Sequence, residues 1–468
     1  MNPNRHVAVR KRLSFGLIGF VLAGLCAWAI FGRRQSGALD RWMAEMRAKG
    51  EKLTLEELGL NRPARTNAAM EVIEIAASRF KALERAKVSV EHQPPGEIGD
   101  ERQRVEWAGT NLHSIIGSVM DWEAFGRELI ELRPELASIR EVMRDPPLES
   151  ERDYTGASRS MYIVAIREVA QWLHIIAMDD LHQGDLSLAH QDLLALIGMA
   201  HLHAETWNVV DQAVRSAIAS LAPEAVWNAL QAPGWTDQQL AELQNRLASL
   251  SFFKERAQSY RAERAMFGLR VYNEMKTNRN SASSGRLADL PEDAWGFLWK
   301  SFWADGDLLM YCQHHPLWID SMETLAVSGS YRQIAPQLAD AQKHLDRKFS
   351  GIWKYRYPVS GIALPNILRG QDSLVKNESS RELAIAAIAL KRFELRRGRL
   401  PRDLQELRPE FLRDLPVDFY DGKPVRYRLE AAGGFTLYSV GADFQDDGGA
   451  PGKDLLWPKP VWPARDSK

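Results

Sequence analysis

Cysteine is nearly absent from this chain of 468 residues, which holds only Cys26 and Cys312. Cys26 falls in an apolar N-terminal segment far from Cys312, so we predict no structural disulfide. We expect Cys312 to be a small buried hydrophobic residue rather than a reactive thiol. An excess of charge is also lacking, because 60 Lys and Arg residues balance 61 Asp and Glu residues. This balance argues against a nucleic-acid partner, which would need a basic field.

Well-known catalytic patterns are also missing. The sequence contains no phosphate-binding loop, no nucleophile elbow, no dinucleotide-binding glycine pattern and no HExxH pair. These absences lower the expectation of an enzyme without excluding one. Five histidines lie near one another in the sequence, namely His174, His182, His190, His201 and His203. Because they lack paired spacing and no cysteine joins them, we interpret them as packed or surface residues rather than as a metal site.

One long apolar run is present, and it covers residues 13–31 without a charged residue. Its length suits a single transmembrane helix, and basic residues flank it at 10–12 and 33–34. We therefore predict a cytoplasmic tail at 1–12 and an anchor in the inner membrane, with the bulk of the chain periplasmic or otherwise extracytoplasmic. The alternative is a cleaved signal peptide, since the Ala-Trp-Ala triplet at 27–29 loosely fits a cleavage site. The length of the run favours the anchor.

The long central region, residues 38–367, shows helical spacing of its apolar residues and no convincing strand alternation. The predicted helices cover 39–49, 67–86, 105–127, 156–181, 186–205, 209–232, 236–270 and 287–311. Between two of them, Gly184 is suited to end one helix and Asp185 to cap the next. This close pair resembles a tetratricopeptide-like hairpin. Because no fixed period recurs, we predict an irregular α-helical array of hairpins.

Large aromatic residues form a stripe late in this region. The residues that share one helical face are Trp295, Trp299, Phe302 and Trp303, with Trp318 further along the chain. Such a stripe can lie on a membrane or line a groove for a partner. Burial against neighbouring helices is the commoner outcome, and we predict burial here.

The stretch 379–457 has the pattern of a helix followed by a small sheet. Ser379 and Glu382 stand at capping-box spacing, and Gly398 is suited to end the helix. A short helical turn follows, and then two segments of alternating apolar residues predict an antiparallel hairpin. Because one face of the hairpin is apolar, it needs the helix as its cover. We predict a small α+β domain here, followed by a Pro-rich tail at 458–468.

Five short motifs follow one another in this stretch. They are Gly-Arg-Leu-Pro at 398–401, Leu-Pro-x-Asp at 415–418, Gly-x-Pro-x-x-Tyr at 422–427, Phe-x-Leu-Tyr-Ser-Val-Gly-Ala-Asp at 435–443 and Asp-Asp-Gly-Gly at 446–449. In this order they resemble the soluble domain of the major pseudopilins of type II secretion systems. Phe419 stands where the family usually has proline, and the prepilin leader and its glutamate are missing. The resemblance therefore implies a shared domain without processing or polymerisation as a pilin.

The resemblance also implies a metal site, because the pseudopilin loop that matches 441–447 holds a calcium ion. The implied side-chain ligands are Asp443, Asp446 and Asp447. Calcium takes six to eight oxygen ligands, and nearby carbonyl groups of a Gly-rich loop could supply the rest. The alternative is a solvated acidic turn, since Asp and Gly are ordinary turn residues.

Together these features predict a non-catalytic envelope protein, namely a membrane-anchored scaffold or adaptor. Its expected partners are the membrane, through residues 13–31, and other envelope proteins, which include those of a type II secretion or pilus-like assembly. The alternative is an envelope enzyme or ligand-binding protein with its site in a groove of the helical region. Convergent carboxylates or histidines with shifted pKa values would favour that alternative.

Overall fold

The computed structural model describes residues 37–60, 68–84, 122–149, 161–272, 299–431 and 434–458. Most of these residues are helical, and a small antiparallel sheet lies near the C-terminus. The predicted fold class is confirmed at this level. The predicted anchor at 13–31 and the cytoplasmic tail before it lie outside the described residues. Within the ranges above, no helix has both the length and the apolar character needed to cross a bilayer.

The helices are numbered in chain order. They are α1 (37–48), α2 (Ala68–Glu84), α3 (Trp122–Leu129), α4 (Arg133–Arg144), α5 (Met161–Gln183), α6 (Leu186–His201), α7 (Val209–Ala219), α8 (Ala222–Gln231), α9 (Asp237–Ala248), α10 (Phe253–Glu263), α11 (Ala304–Ser328), α12 (Ala335–Lys348) and α13 (Pro358–Arg397). A π-helical segment, Arg264–Val271, continues α10, and a second, Trp299–Trp303, leads into α11.

The predicted hairpin at the centre of the helical region is confirmed. Gly184 has a left-handed backbone with a φ of 78°, which a glycine adopts without steric cost. The Asp185 side chain accepts a hydrogen bond from the amide of Leu188 at 2.9 Å and so caps α6. Leu193 on α6 is almost completely buried. The hairpin therefore places the apolar face of α6 against its neighbours, as the spacing predicts.

Two predicted helices are wrong in length. The range 209–232 contains α7 and α8, and Pro223 lies in the first turn of α8, where a missing amide hydrogen costs least. The range 236–270 contains α9 and α10, which a short connection separates. Helices α4 and α12 are absent from the prediction, and α11 continues to Ser328, beyond the predicted end at 311.

The predicted burial of the aromatic stripe is confirmed for Trp299 and for Trp318. Trp299 and Trp318 are fully buried, whereas Phe302 and Trp303 are half-buried. Trp295 lies outside the described residues.

Cys312 is also fully buried, and this burial raises the pKa of its thiol to about 12. The thiol is therefore protonated at neutral pH, which agrees with the prediction of an inert cysteine.

The C-terminal helix is longer than predicted, because α13 begins at Pro358 rather than at Ser379. Ser379 is fully buried within the helix, and Glu382 accepts a hydrogen bond from the amide of Val417, so the two residues form no capping box. The carboxylate of Asp307, on α11, accepts hydrogen bonds from the first amides of α13 instead. The gap between the predicted domains 38–367 and 379–457 thus falls inside one continuous helix.

Five short strands follow α13. They are β1 (Val417–Asp418), β2 (Lys423–Pro424), β3 (Arg426–Leu429), β4 (Phe435–Ser439) and β5 (Leu455–Trp457). β1 pairs with β2, while β3, β4 and β5 form an antiparallel sheet in that order. The predicted hairpin corresponds to β3 and β4. The other strands have two or three residues, which is too short for an alternating pattern to reveal.

The sheet and the helical region share one hydrophobic core. All five residues of β4 are buried, and β1, β4 and β5 pack against α13. Trp457 of β5 packs edge-on against Trp227 of α8, with 5.3 Å between ring centroids. Phe419 packs in the same manner against Phe253 of α10 at 5.0 Å. The predicted α+β domain is therefore continuous with the helical region in its packing.

Candidate functional site

The predicted calcium ligands lie on the loop after β4, and each has its own hydrogen-bond partner. Asp446 Oδ1 accepts from the Tyr438 hydroxyl at 2.8 Å. Asp447 Oδ1 accepts from Lys453 Nζ at 2.9 Å, and Asp443 Oδ1 accepts from the amide of Gln445 at 3.0 Å. The loop therefore brings the three residues near one another in the chain, while their carboxylates face different donors.

A fourth carboxylate, that of Asp454, was not predicted from the sequence, and it accepts hydrogen bonds from backbone amides of this loop. Asp454 is nearly buried, and its Oδ2 atom accepts from the amides of Gly449 and Ala450 at 2.8 and 2.9 Å. A side chain added at Gly441, where φ is 71°, would approach the carbonyl oxygen of Lys453 to 2.8 Å. Glycine is thus required where the two arms of the loop meet. Asp454 lies after the last of the motifs that carry the resemblance. The sequence therefore gives little indication of its role.

Calcium at this loop stays a prediction. Across the described ranges, no three Asp, Glu, His or Cys side chains are grouped as a metal site would require. As arranged, the three carboxylates do not fit a calcium ion, which would have to displace Lys453 from Asp447 and Tyr438 from Asp446.

The calcium prediction can be checked on the full chain. If the ion binds the folded state, saturating calcium should raise the melting temperature above that measured with chelator, because a ligand at about a hundred times its Kd adds about 2.7 kcal/mol. Asp447→Asn should reduce the rise. Magnesium is the matched control, since it prefers a smaller octahedral site. Equal melting temperatures with calcium and with chelator would reject the site.

Asp418, one of the residues that carry the resemblance, has a structural role. It is fully buried, and its Oδ1 atom accepts from the hydroxyl of Ser439 at 2.7 Å. Its Oδ2 atom accepts from the amide of Val440 and from Arg426 Nη1, both at 2.8 Å. Burial raises the pKa of Asp418, and the hydrogen bonds oppose that rise. The side chain therefore ties the turn after β1 to the end of β4.

A second polar cluster lies where α4, α5 and α6 meet. Arg140 of α4 binds both carboxylate oxygens of Asp192 on α6, at 2.5 and 2.8 Å. Asp180 of α5 lies 3.9 Å from the same guanidinium. Asp192 is fully buried and Asp180 nearly so. One arginine thus faces two buried carboxylates.

The single cation of this cluster cannot neutralise both acids. Burial, and then the adjacent Asp192 carboxylate, raises the pKa of Asp180 to about 9. At neutral pH, Asp180 is therefore protonated, and the bidentate partner of Arg140 is Asp192. The sequence offered no signal for this cluster, because its members are separated along the chain and meet only through helix packing.

An open groove of about 350 Å³ lies above this cluster, between α4 and α9 with α6 as its floor. Its lining residues are Arg140, Met143, Arg144, Gln191, Leu194, Ala195, Glu242, Asn245, Arg246 and Ser249. The floor is largely apolar, and the walls are polar or charged. This combination of an apolar base with a few convergent polar groups is typical of binding sites.

Two of the predicted packed histidines border the groove. His201 lies behind Ser249, whose hydroxyl is 3.2 Å from its Nε2 atom, and burial lowers the pKa of His201 to about 4. His190 Nε2 lies 3.6 Å from Glu242, and burial lowers its pKa as well. Both imidazoles are therefore neutral at pH 7. They position neighbouring groups and add no positive charge to the groove.

Comparison of the chain with protein-family models, curated proteins and solved structures finds no match. The resemblances to pseudopilins and to tetratricopeptide-like hairpins therefore stay predictions.

Proposed function

We propose that this protein is a membrane-anchored, non-catalytic scaffold or adaptor of the cell envelope. In this proposal residues 13–31 cross the inner membrane once, and the chain after them lies on the periplasmic side. The helical region is an irregular array of hairpins, and the C-terminal part is a pseudopilin-like α+β unit.

The observation that carries the proposal is the continuity of α13. Helix α13 packs against α8, α9 and α11 of the helical region and also against β1, β4 and β5, and its N-terminus is held by Asp307. A scaffold has to keep two surfaces at a fixed separation and orientation. An unbroken helix within a shared core meets that requirement, whereas a flexible linker would not.

The partner that we propose for the C-terminal unit is a type II secretion or pilus-like assembly. This step depends on the ordered motifs at 398–449 and on the small sheet beneath α13. Fold-level analogy alone assigns no chemistry, so the proposal concerns attachment and not catalysis.

The anchor can be tested by washing membranes with carbonate. An uncleaved anchor predicts that the full chain remains in the membrane pellet and keeps its own N-terminus. Deletion of residues 13–31 should release the protein and serves as the matched control. A shortened wild-type protein in the supernatant would contradict the anchor and indicate signal-peptide cleavage.

A pull-down from detergent-solubilised membranes would then identify the partner, and recovery of secretion or pilus components would support the attachment.

The second candidate function is ligand binding by the helical region, and the groove between α4 and α9 favours it. Asp180, whose pKa is raised, lies 3.9 Å from Arg140, which lines the groove, and a carboxyl group with a shifted pKa beside a groove favours a binding site. Its carboxyl group, however, faces Arg140 and Asp192 rather than a reacting centre. The arrangement therefore favours binding over catalysis, and binding is compatible with an adaptor.

A further inference from the structure

The walls of the groove differ in how their charges are satisfied. Arg140 is neutralised by Asp192 from below. Arg144, at the end of α4, pairs with Glu141 one helical turn earlier, and both side chains are about 70% exposed. Surface pairs of this kind contribute little and exchange partners readily. Arg144 is therefore available to an incoming anion.

Arg246 is the cation that lacks an acidic partner. No carboxylate of the described residues lies within 4.0 Å of its guanidinium, although Asp145 lies near enough to influence its pKa. Its Nη2 atom donates to the carbonyl oxygen of Met143 at 3.0 Å, which fixes the side chain across the groove from α9 to α4. The remaining N–H groups of the guanidinium are free to bind a ligand, because a guanidinium has five such donors.

The position of Arg246 suits a carboxylate more than a fully hydrated ion. The side chain is half-buried, so a charge pair formed there is screened less than one on the open surface. Met143, Leu194 and Ala195 supply an apolar floor on which the aliphatic part of a ligand can pack. Gln191 and Asn245 at the rim can bind peptide groups.

We propose that the groove between α4, α6 and α9 binds an acidic peptide segment of a partner protein, with Arg246 as the main carboxylate-binding residue and Arg144 as the second. This proposal deepens the adaptor function by naming the chemistry of the partner. It does not depend on the membrane anchor. Peptide binding and release of the protein from membranes by carbonate are measured separately, so one can fail while the other succeeds.

Glu242 gives the proposal a directional test. It lies on the α9 wall of the groove, its side chain is 58% exposed, and its nearest basic neighbour is the neutral His190. A negative charge here opposes an acidic ligand. Removing that charge with Glu242→Gln should therefore tighten the binding of an acidic peptide. If the groove has only a structural role, the substitution should leave peptide binding unchanged.

The experiment is fluorescence anisotropy of the full chain in detergent with a short labelled peptide of alternating glutamate and leucine. Arg246→Glu should weaken binding by at least about tenfold, and Glu242→Gln should strengthen it about threefold. The matched control is Arg397→Glu, which makes the same charge change at an exposed arginine of α13 paired with Glu410. This control should leave the affinity unchanged.

Three outcomes would overturn the proposal. The first is no binding of the acidic peptide, and the second is equal binding of a lysine-leucine peptide. The third is displacement of the acidic peptide by inorganic phosphate at comparable concentration, which would identify a general anion site. Arg144→Ala guards against misfolding of the Arg246 variant, since Arg144 is exposed and its replacement should weaken binding without lowering the melting temperature.

Discussion

Replacing Asp192 with asparagine in a chain that already carries Asp180→Asn is expected to lower the free energy of unfolding by about 3–5 kcal/mol. The double variant leaves Arg140 largely buried, and no other carboxylate of the described residues lies within 4.0 Å of it. Loss of one partner from a largely buried ion pair is costly because the remaining charge has little contact with water and no counter-ion. Denaturant unfolding of the double variant against Asp180→Asn alone measures this loss.

Asp180→Asn alone should instead raise the free energy of unfolding at neutral pH. The folded pKa of Asp180, about 9, is far above the usual value near 4, so the native state holds the proton more tightly than the unfolded state. Stability from this group is complete below about pH 4 and is lost as the pH rises towards 9. Asparagine imitates the protonated acid without titrating. The advantage of the variant over wild type in unfolding free energy should therefore grow as the pH rises through that window. If the unfolding free energies of the variant and of wild type change with pH in parallel, Asp180 does not hold the proton in the folded state.

Replacing Leu193 with aspartate is expected to destabilise the helical region by about 3–5 kcal/mol. Leu193 is 1% exposed and lies on the face of α6 that packs in the core. The substitution removes the packing of a leucine and adds a carboxyl group without a partner. Thermal and denaturant unfolding of the full chain measure the effect.

The matched control for this substitution is Ser187→Asp on the same helix. Ser187 is exposed in the first turn of α6, where a negative charge interacts favourably with the helix dipole. This variant should match wild type within about 0.5 kcal/mol. An unchanged melting temperature for Leu193→Asp would show that the buried face of α6 is assigned wrongly.

Local signals in the sequence predicted the parts of the fold that depend on local physics. Gly184 and Asp185 marked the turn between α5 and α6, and Gly398 marked the end of α13. The start of α13 could not be predicted in this way, because the group that caps it, Asp307, is distant in sequence. Ser379 and Glu382 imitated a capping box, although their side chains serve tertiary contacts.

The candidate sites show the same division. The acidic loop was visible because its residues are adjacent and ordered, yet the partners that each carboxylate binds depend on folding. Lys453 and Tyr438 become partners only when β5 and β4 are in place. The groove was invisible in the sequence, since Arg144 and Arg246 lie on two different helices with helices α5 to α8 between them in the chain. Only the packing of α4 and α9 over α6 brings them together.

The length of α13 limits how the protein can be divided or recombined. Its 40 residues extend about 60 Å, and it contacts both the helices and the strands, with Arg381 and Arg392 of its second half bound to α9. A truncation near residue 379 would expose apolar surface on both fragments, so neither is a natural unit for expression. Gene fusions and grafts that aim to transfer the last eighty or so residues should instead start before Pro358 and include the Asp307 segment that holds the helix end.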